Sequence, residues 1–293
     1  MTDYAFETYD VFTNEPFAGN QLAVVMDARG LSGERMQAIA REFNLSETSF
    51  VLPPESGAHT ARVRIFTPMI EMPFAGHPTV GTAVAIAKAR GISGEVLLEL
   101  AAGLFPVAVR LSDRGGFAEF NNPNLPEEKG DAPDAAALEA ALSLPQGAVD
   151  RSAHRPRRIG AGVDFIYAKA PLDAVRRAGV DSAAWKALAM DSVIGVYLYA
   201  NDAAGADYHA RMFAPGAGVA EDPATGSAAA ALPGQIALSE KLTDGEHHWR
   251  IEQGVEMGRP SRIEARVAIR QGAVASVRIG GGAVKVQAGV LTL

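Results

Sequence analysis

The 293-residue chain contains no cysteine. That excludes disulfides, thiolate metal sites, and any cysteine nucleophile or cysteine acid–base pair. Charge of one sign is nowhere concentrated. Lys and Arg number 27 against 34 Asp and Glu, the net charge is −7, and no Lys/Arg block occurs. No nucleic-acid partner and no membrane surface are therefore expected. Long apolar runs are missing too: the most apolar stretch, residues 80–87, is interrupted by Thr82 and followed by Lys88, too short to span a bilayer. The start, MTDYAFETYD, is acidic and lacks the basic-then-apolar layout of a signal peptide, so a cytoplasmic location is expected. Several familiar signatures fail as well. Neither a P-loop nor HExxH occurs, GAGVD at Gly160–Asp164 lacks the third glycine of a dinucleotide site, TGSA around Ser227 is not the hydrolase elbow, and His247-His248 has no metal spacing.

What is present is a repeat. RIFTP at Arg64–Pro68 is followed by AGHPTVGTA at Ala75–Ala83, and RMFAP at Arg211–Pro215 by AEDPATGSA at Ala220–Ala228. Each copy reads Arg-apolar-Phe-x-Pro, then a loop, then x-x-Pro-x-x-Gly-Thr/Ser-Ala opening an Ala-rich helix. The Arg64/Arg211 and His77/Asp222 spacings are 147 and 145 residues, half the chain length. Two similar halves are expected, each giving one helix N-terminus to a shared cleft, with His77 and Asp222 at paired positions. Hydrophobic content of 48% supports a sizeable core, and the length accommodates two ordinary domains. NNPNLPEEKGDAP at Asn121–Pro133 is the linker candidate, giving halves at residues 1–125 and 126–293.

Periodicity predicts strands at Tyr4–Thr13, Gln21–Met26, Glu47–Leu52 and Ala61–Phe66, where Val63 and Ile65 alternate with Arg62 and Arg64. Ser32 caps a helix whose apolar face is Met36, Ile39, Ala40 and Phe43. Thr79–Arg90 reads as a helix stopped by Gly91 and apolar or small nearly all round, hence buried. Further helices are predicted at Asp134–Leu142, Asp181–Met190 and Ala224–Leu232, the last broken at Pro233-Gly234. Strands are predicted at Gly160–Lys169, Val193–Tyr199 and from Ser261 onward, with Gly280–Gly282 as a hairpin turn. The fold class is mixed α+β: two pseudo-symmetric domains, each a curved barrel-like sheet around a central helix, without doubly wound βαβ alternation.

Three side chains stand out, and each has a structural reading beside a functional one. His77 in GHP is either a loop histidine bonded to a nearby carbonyl or a site residue. Asp222 in EDPATGSA is a natural N-cap with Pro223 at the first helical position. In the functional reading the Gly226 and Ser227 amides bind an anion while Asp222 contacts the same ligand. Glu47 in LSETSFV is either an exposed glutamate after a helix or the general base that a cysteine-free site otherwise lacks.

DVFTNEPFAGNQLAVV, LSETSFV, RIFTPMIEMPFAGHPTVGTA, EDPATGSAAAAL and EQGVEMGRPSRIEARV resemble the PhzF-type phenazine-biosynthesis protein family, from Asp10 to the C-terminus. The resemblance implies a diaminopimelate epimerase-like fold, the site in the cleft between the domains, a last strand returning to the first domain, a homodimer, and no cofactor or metal. It implies Glu47 as the acid–base glutamate, His77 and Asp222 as the pair that orients substrate and assists proton movement, and Gly76, Gly226 and Ser227 near the substrate carboxylate. Gln21 stands where the family commonly has proline. The expected function is a cofactor-independent isomerase that moves a proton between carbons of a small carboxylate-bearing substrate. The other readings are an epimerase or racemase on the same fold without cysteines, and a non-catalytic small-carboxylate binding protein.

Overall fold

The computed structural model describes residues 2–188, 190–203 and 205–293. The chain divides into two compact units: the first holds the chain up to Asn121 together with Gly280–Leu293, the second Asn122–Ile279. No helix among the described residues is long and apolar enough to cross a membrane.

The first unit contains β1 (Asp3–Val11), β2 (Asn20–Val25), α1 (Gly33–Phe43), β3 (Glu47–Leu52), β4 (Ala61–Phe66), β5 (Glu71–Met72), α2 (Gly76–Arg90), β6 (Gly94–Leu100), β7 (Gly103–Leu111) and β8 (Gly115–Asn121). Its sheet closes on itself. β1 pairs with β2, β2 with β3 in parallel, β3 with β4, β4 with β6 in parallel, β6 with β7 and β7 with β8. The final strand returns to close the sheet, its residues 283–292 pairing with β1 while the same strand also pairs with β8. A closed sheet has no free edge and must fill its interior. α2 fills it, every residue from Gly76 to Ala87 being buried. Gly81 makes this close fit possible: a Cβ there would lie 2.6 Å from Leu22 Cδ2 and 2.7 Å from Val11 Cγ2.

The second unit contains β9 (Glu127–Glu128), α3 (Ala135–Ala141), β10 (Arg157–Gly160), β11 (Asp164–Lys169), α4 (Leu172–Arg177), α5 (Ser182–Ala187), β12 (Gly195–Ala203), β13 (Ala206–Ala214), β14 (Val219–Asp222), α6 (Gly226–Ser239), β15 (Gly245–Gln253) and β16 (Ser261–Arg270), and it shares β17 (Ala273–Thr292) with the first. β11 and β12 run parallel, β13 pairs with β12 on one side, and β14 and β15 both pair with β13. α6 packs on β9, β10, β11 and β16 and is buried nearly throughout. A second apolar cluster, centred on Leu138, Leu142, Val175 and Leu198, lies under α3, α4 and α5.

Three sequence expectations are corrected. α6 does not break at Pro233 but continues to Ser239. Burial outweighs the lost N–H, and Gly234 is retained because a Cβ there would sit 2.7 Å from Pro126 Cβ. Gly280–Gly282 is no hairpin turn but the middle of β17, where glycine admits close backbone: a Cβ on Gly282 would lie 2.5 Å from the Thr13 carbonyl oxygen. Asp222 does not cap α6. It ends β14, and the N-cap is Thr225. The predicted helix 181–190 is described as Ser182–Ala187 with Asp181 as its cap; Ala189 lies outside the described residues.

Candidate active site

In the first unit, Glu47 opens β3 beside Leu22 of the parallel β2, and His77 is the second residue of α2. The Glu47 and His77 side chains are 17% and 5% exposed, with Oε2 and Nε2 3.4 Å apart. Burial pushes the His77 imidazole down to about 3, opposed by a hydrogen bond to the Gln21 backbone, so the ring is neutral at physiological pH. Among the described residues Nε2 has no hydrogen-bond partner, which leaves Nδ1 to make the Gln21 bond. A bond that favours the charged ring ends on the carbonyl, which only accepts, so Nδ1 carries the hydrogen and Nε2 presents a lone pair toward Glu47. The loop before Gln21 is held by Asp10, whose Oδ2 accepts from the Phe17 amide at 2.6 Å. Phe12, Phe17 and Gly19 in that loop all take positive φ.

In the second unit, Asp222 is buried and Thr225 donates its hydroxyl to Asp222 Oδ2 at 2.5 Å. Gly226 and Ser227 form the first turn of α6. The Tyr197 hydroxyl is buried without a hydrogen-bond partner among the described residues, and burial, with the charge of Asp222, raises its ionisation well above the usual phenol range.

The helix starts share one chemical property. α1, α3 and α5 are capped by Ser32, Asp134 and Asp181 side chains, whereas α2 and α6, like the short α4, have no side-chain cap. Amides at an uncapped N-terminus favour an anion through direct hydrogen bonds and the helix dipole. Gly76 with His77, and Gly226 with Ser227, stand at such ends. Glu47, His77 and Gly76 thus gather in the first unit, and Asp222, Gly226 and Ser227 in the second. Sequence reasoning missed Thr225, Gln253 and Tyr197. Thr225 was within the quoted EDPATGSA and Gln253 within EQGVEMG, but Gln253 meets Thr225 and Asp222 only across 28 and 31 residues of chain.

Residues 9–289 match the family model described as phenazine biosynthesis-like protein. The chain is 48% identical over 292 residues to an uncharacterized isomerase of Mesorhizobium japonicum, covering 97% of each chain. It is 38% identical over 281 residues to the trans-2,3-dihydro-3-hydroxyanthranilate isomerase of Pseudomonas aeruginosa, covering 95% of each. The crystal structure of the Bacillus anthracis phenazine biosynthesis protein of the PhzF family superposes with a TM-score of 0.88 at 28% identity, over all of both chains. By sequence and by fold, the chain belongs to the phenazine biosynthesis-like (PhzF) family, an enzyme family with isomerase and epimerase activity.

Proposed function

We propose that this protein is a cofactor-independent isomerase in which Glu47 removes a proton from one carbon of a small carboxylate-bearing substrate and returns it to another. The observation that carries this reading is the buried His77 Nε2 lying 3.4 Å from Glu47 Oε2, in a ring that burial keeps neutral. While Glu47 is ionised, no hydrogen lies between these two atoms. Once Glu47 has taken the substrate proton, its carboxylic acid can donate to Nε2 by closing the 3.4 Å gap, so a contact that is weak before the step becomes favourable after it. The proton leaves one carbon and arrives at another, electrons balance without an oxidant or reductant, and no cofactor is called for. In this reading the Gly76 helix end binds the substrate carboxylate, and Gly226, Ser227 and Asp222 are further proposed substrate contacts.

The test is NMR of the purified protein in deuterated buffer, with trans-2,3-dihydro-3-hydroxyanthranilate first and then a panel of cyclic and amino carboxylates. Isomerisation with a Glu47→Gln loss of about 10²- to 10⁴-fold is expected. Undiminished turnover by Glu47→Gln overturns the reading. Inversion at a single stereocentre with solvent deuterium incorporated there would assign an epimerase instead.

A further inference from the structure

We propose that Thr225 and Gln253 are positioning residues that together fix the carboxylate of Asp222. The proposal rests on the function suggested above for Asp222. Strand register locates the three residues. Asp222 ends β14 opposite Met212, and Gln253 ends β15 opposite Ala210. β14 runs antiparallel and β15 parallel to β13, so the two strand ends meet beside residues 210–212 and their side chains close the junction.

The hydrogen bonds there leave one arrangement. Gln253 Nε2 donates to the Asp222 carbonyl at 2.7 Å and to Thr225 Oγ1 at 3.0 Å, while its Oε1 accepts from the Thr225 amide at 3.2 Å. Flipping the Gln253 amide would set donor against donor and acceptor against acceptor, so its orientation is fixed. Because Thr225 Oγ1 accepts from Gln253, its own hydrogen is directed to Asp222 Oδ2 at 2.5 Å. Gln253 is fully buried, and the Asp222 and Thr225 side chains nearly so. A buried polar network of this kind is favourable only when every member is satisfied. The next residue tightens the junction: Gly254 has φ +74°, and a Cβ there would lie 2.6 Å from the Pro223 carbonyl oxygen. His209 clamps the residues around Gln253, bonding Glu252 at 2.8 Å and Glu256 at 2.9 Å.

The first unit contains the same junction without the network. Register places Met72 opposite Ile65 as Asp222 lies opposite Met212, and Leu100 ends β6 as Gln253 ends β15. Ala75 is the N-cap of α2 where Thr225 is that of α6. Met72, Ala75 and Leu100 are all apolar, and the junction is held by a backbone bond from Ala102 N to the Pro73 carbonyl at 3.0 Å. Among the described residues, the only polar side chain at this joint comes from within α2, where the Thr79 hydroxyl donates to the Ala75 carbonyl at 2.8 Å, so the fold makes the joint with apolar residues at all three of these positions. All three positions turn polar together in the unit whose strand end carries a carboxylate, which ties Thr225 and Gln253 to Asp222 rather than to the fold.

The experiment measures side-chain three-bond couplings of Asp222 by NMR in the full chain, for wild type, Thr225→Val, Thr225→Ser and Gln253→Leu, with Asp222→Asn identifying the signals. One Asp222 rotamer is expected in wild type and Thr225→Ser, and rotamer averaging in Thr225→Val and Gln253→Leu, with folded spectra elsewhere unchanged. Turnover of trans-2,3-dihydro-3-hydroxyanthranilate is read in parallel: at least a tenfold fall in kcat with KM within threefold for Thr225→Val, and near-full rescue in Thr225→Ser. A single unchanged rotamer in both Thr225→Val and Gln253→Leu overturns the proposal. Undiminished turnover in Asp222→Asn would instead sink the role given to Asp222, while the couplings still decide whether Thr225 and Gln253 position it.

Discussion

His77 and Ser227 hold the same place in their units: each is the second residue of the helix buried at the unit's centre. The sequence pattern pairs His77 with Asp222, because both precede a proline, but strand register pairs Asp222 with Met72 and Glu221 with Glu71. The spacing from Met72, Gly76 and His77 to their counterparts is 150 residues, not 145. Glu47 precedes Thr48, which pairs with Phe66, just as Gly195 precedes Val196, which pairs with Phe213. The counterpart of Glu47 is therefore Gly195, and a Cβ there would lie 2.1 Å from the Phe213 carbonyl oxygen. Neither carboxylate has an acidic counterpart in the other unit.

A base without a symmetric partner predicts that one residue both takes and returns the proton. In a single turnover in deuterated buffer, part of the product is expected to retain the substrate's own hydrogen at the new position, because the Glu47 side chain is only 17% exposed and exchanges slowly relative to return. Mass spectrometry of the product checks this. Complete deuteration at that carbon, with full protium in the recovered substrate, would point to a second base.

The core helices, the strands around them and the amphipathic α1 were legible because their signals are local: apolar residues at helical or alternating spacing. What was not legible depends on contacts distant in the chain. Pro233 and Gly234 carry a helix-breaking signal, yet the helix persists because it is packed on all sides. Gly280 and Gly282 read as a turn, yet mark places where backbone passes close to the strand. Glu47 and His77 were legible as chemically apt residues, but their 3.4 Å approach is a property of β3 against α2, 30 residues apart. The repeat was legible as a repeat and misaligned as a pairing, because Pro-x-x-Gly occurs twice in succession in the first half, at Pro73–Gly76 and Pro78–Gly81, and only the helix starts choose between them.

Acid is expected to destabilise the fold through His77. Its folded ring titrates near 3 because burial disfavours the charge, whereas an unfolded histidine titrates near pH 6.5. Between those values the unfolded chain binds the extra proton, so stability is fully present above about 6.5 and falls as pH drops toward 3. His77→Asn should remove up to about 1.4 kcal/mol per pH unit from the slope of unfolding free energy between pH 6 and 4. Urea titrations across that range check it; parallel slopes in the two proteins would refute it.

His209 predicts the opposite sign. Burial opposes its charge, but the hydrogen bonds its two ring nitrogens donate to Glu256 and Glu252 overcome that, and the folded ring titrates above the ordinary histidine value. The stabilisation is complete below about pH 6.5 and is lost as pH rises through the raised folded value. At pH 6, His209→Gln should cost roughly 2–3 kcal/mol, since it leaves partly buried carboxylates without their cation, and the deficit should shrink by pH 9. Denaturant midpoints at the two pH values decide the matter, and a constant deficit would mean that packing rather than charge is lost.

The repeated arginines make the same contact at different depths. Arg64 pairs with Glu71 through Nε and Nη2 at 2.6 Å, and Arg211 with Glu221 through the same two nitrogens at 2.8 Å. Each guanidinium also lies over the phenylalanine two residues on, at 5.1 Å and 4.8 Å. Yet Arg64 and Glu71 are 31% and 37% exposed, against 8% and 16% for Arg211 and Glu221. Arg211 alone also donates to the Val175, Arg176 and Ala178 carbonyls around the end of α4. Water screens the first pair, so Glu71→Gln should cost no more than about 1 kcal/mol. In the second, Glu221→Gln leaves a buried guanidinium short of its counter-charge, and a loss of about 3 kcal/mol is expected. Lysine cannot reproduce the planar fork, so Arg211→Lys should be nearly as costly while Arg64→Lys is tolerated. Thermal midpoints of the four variants test the contrast directly, and equal losses at the two sites would show that burial does not set the strength of this motif.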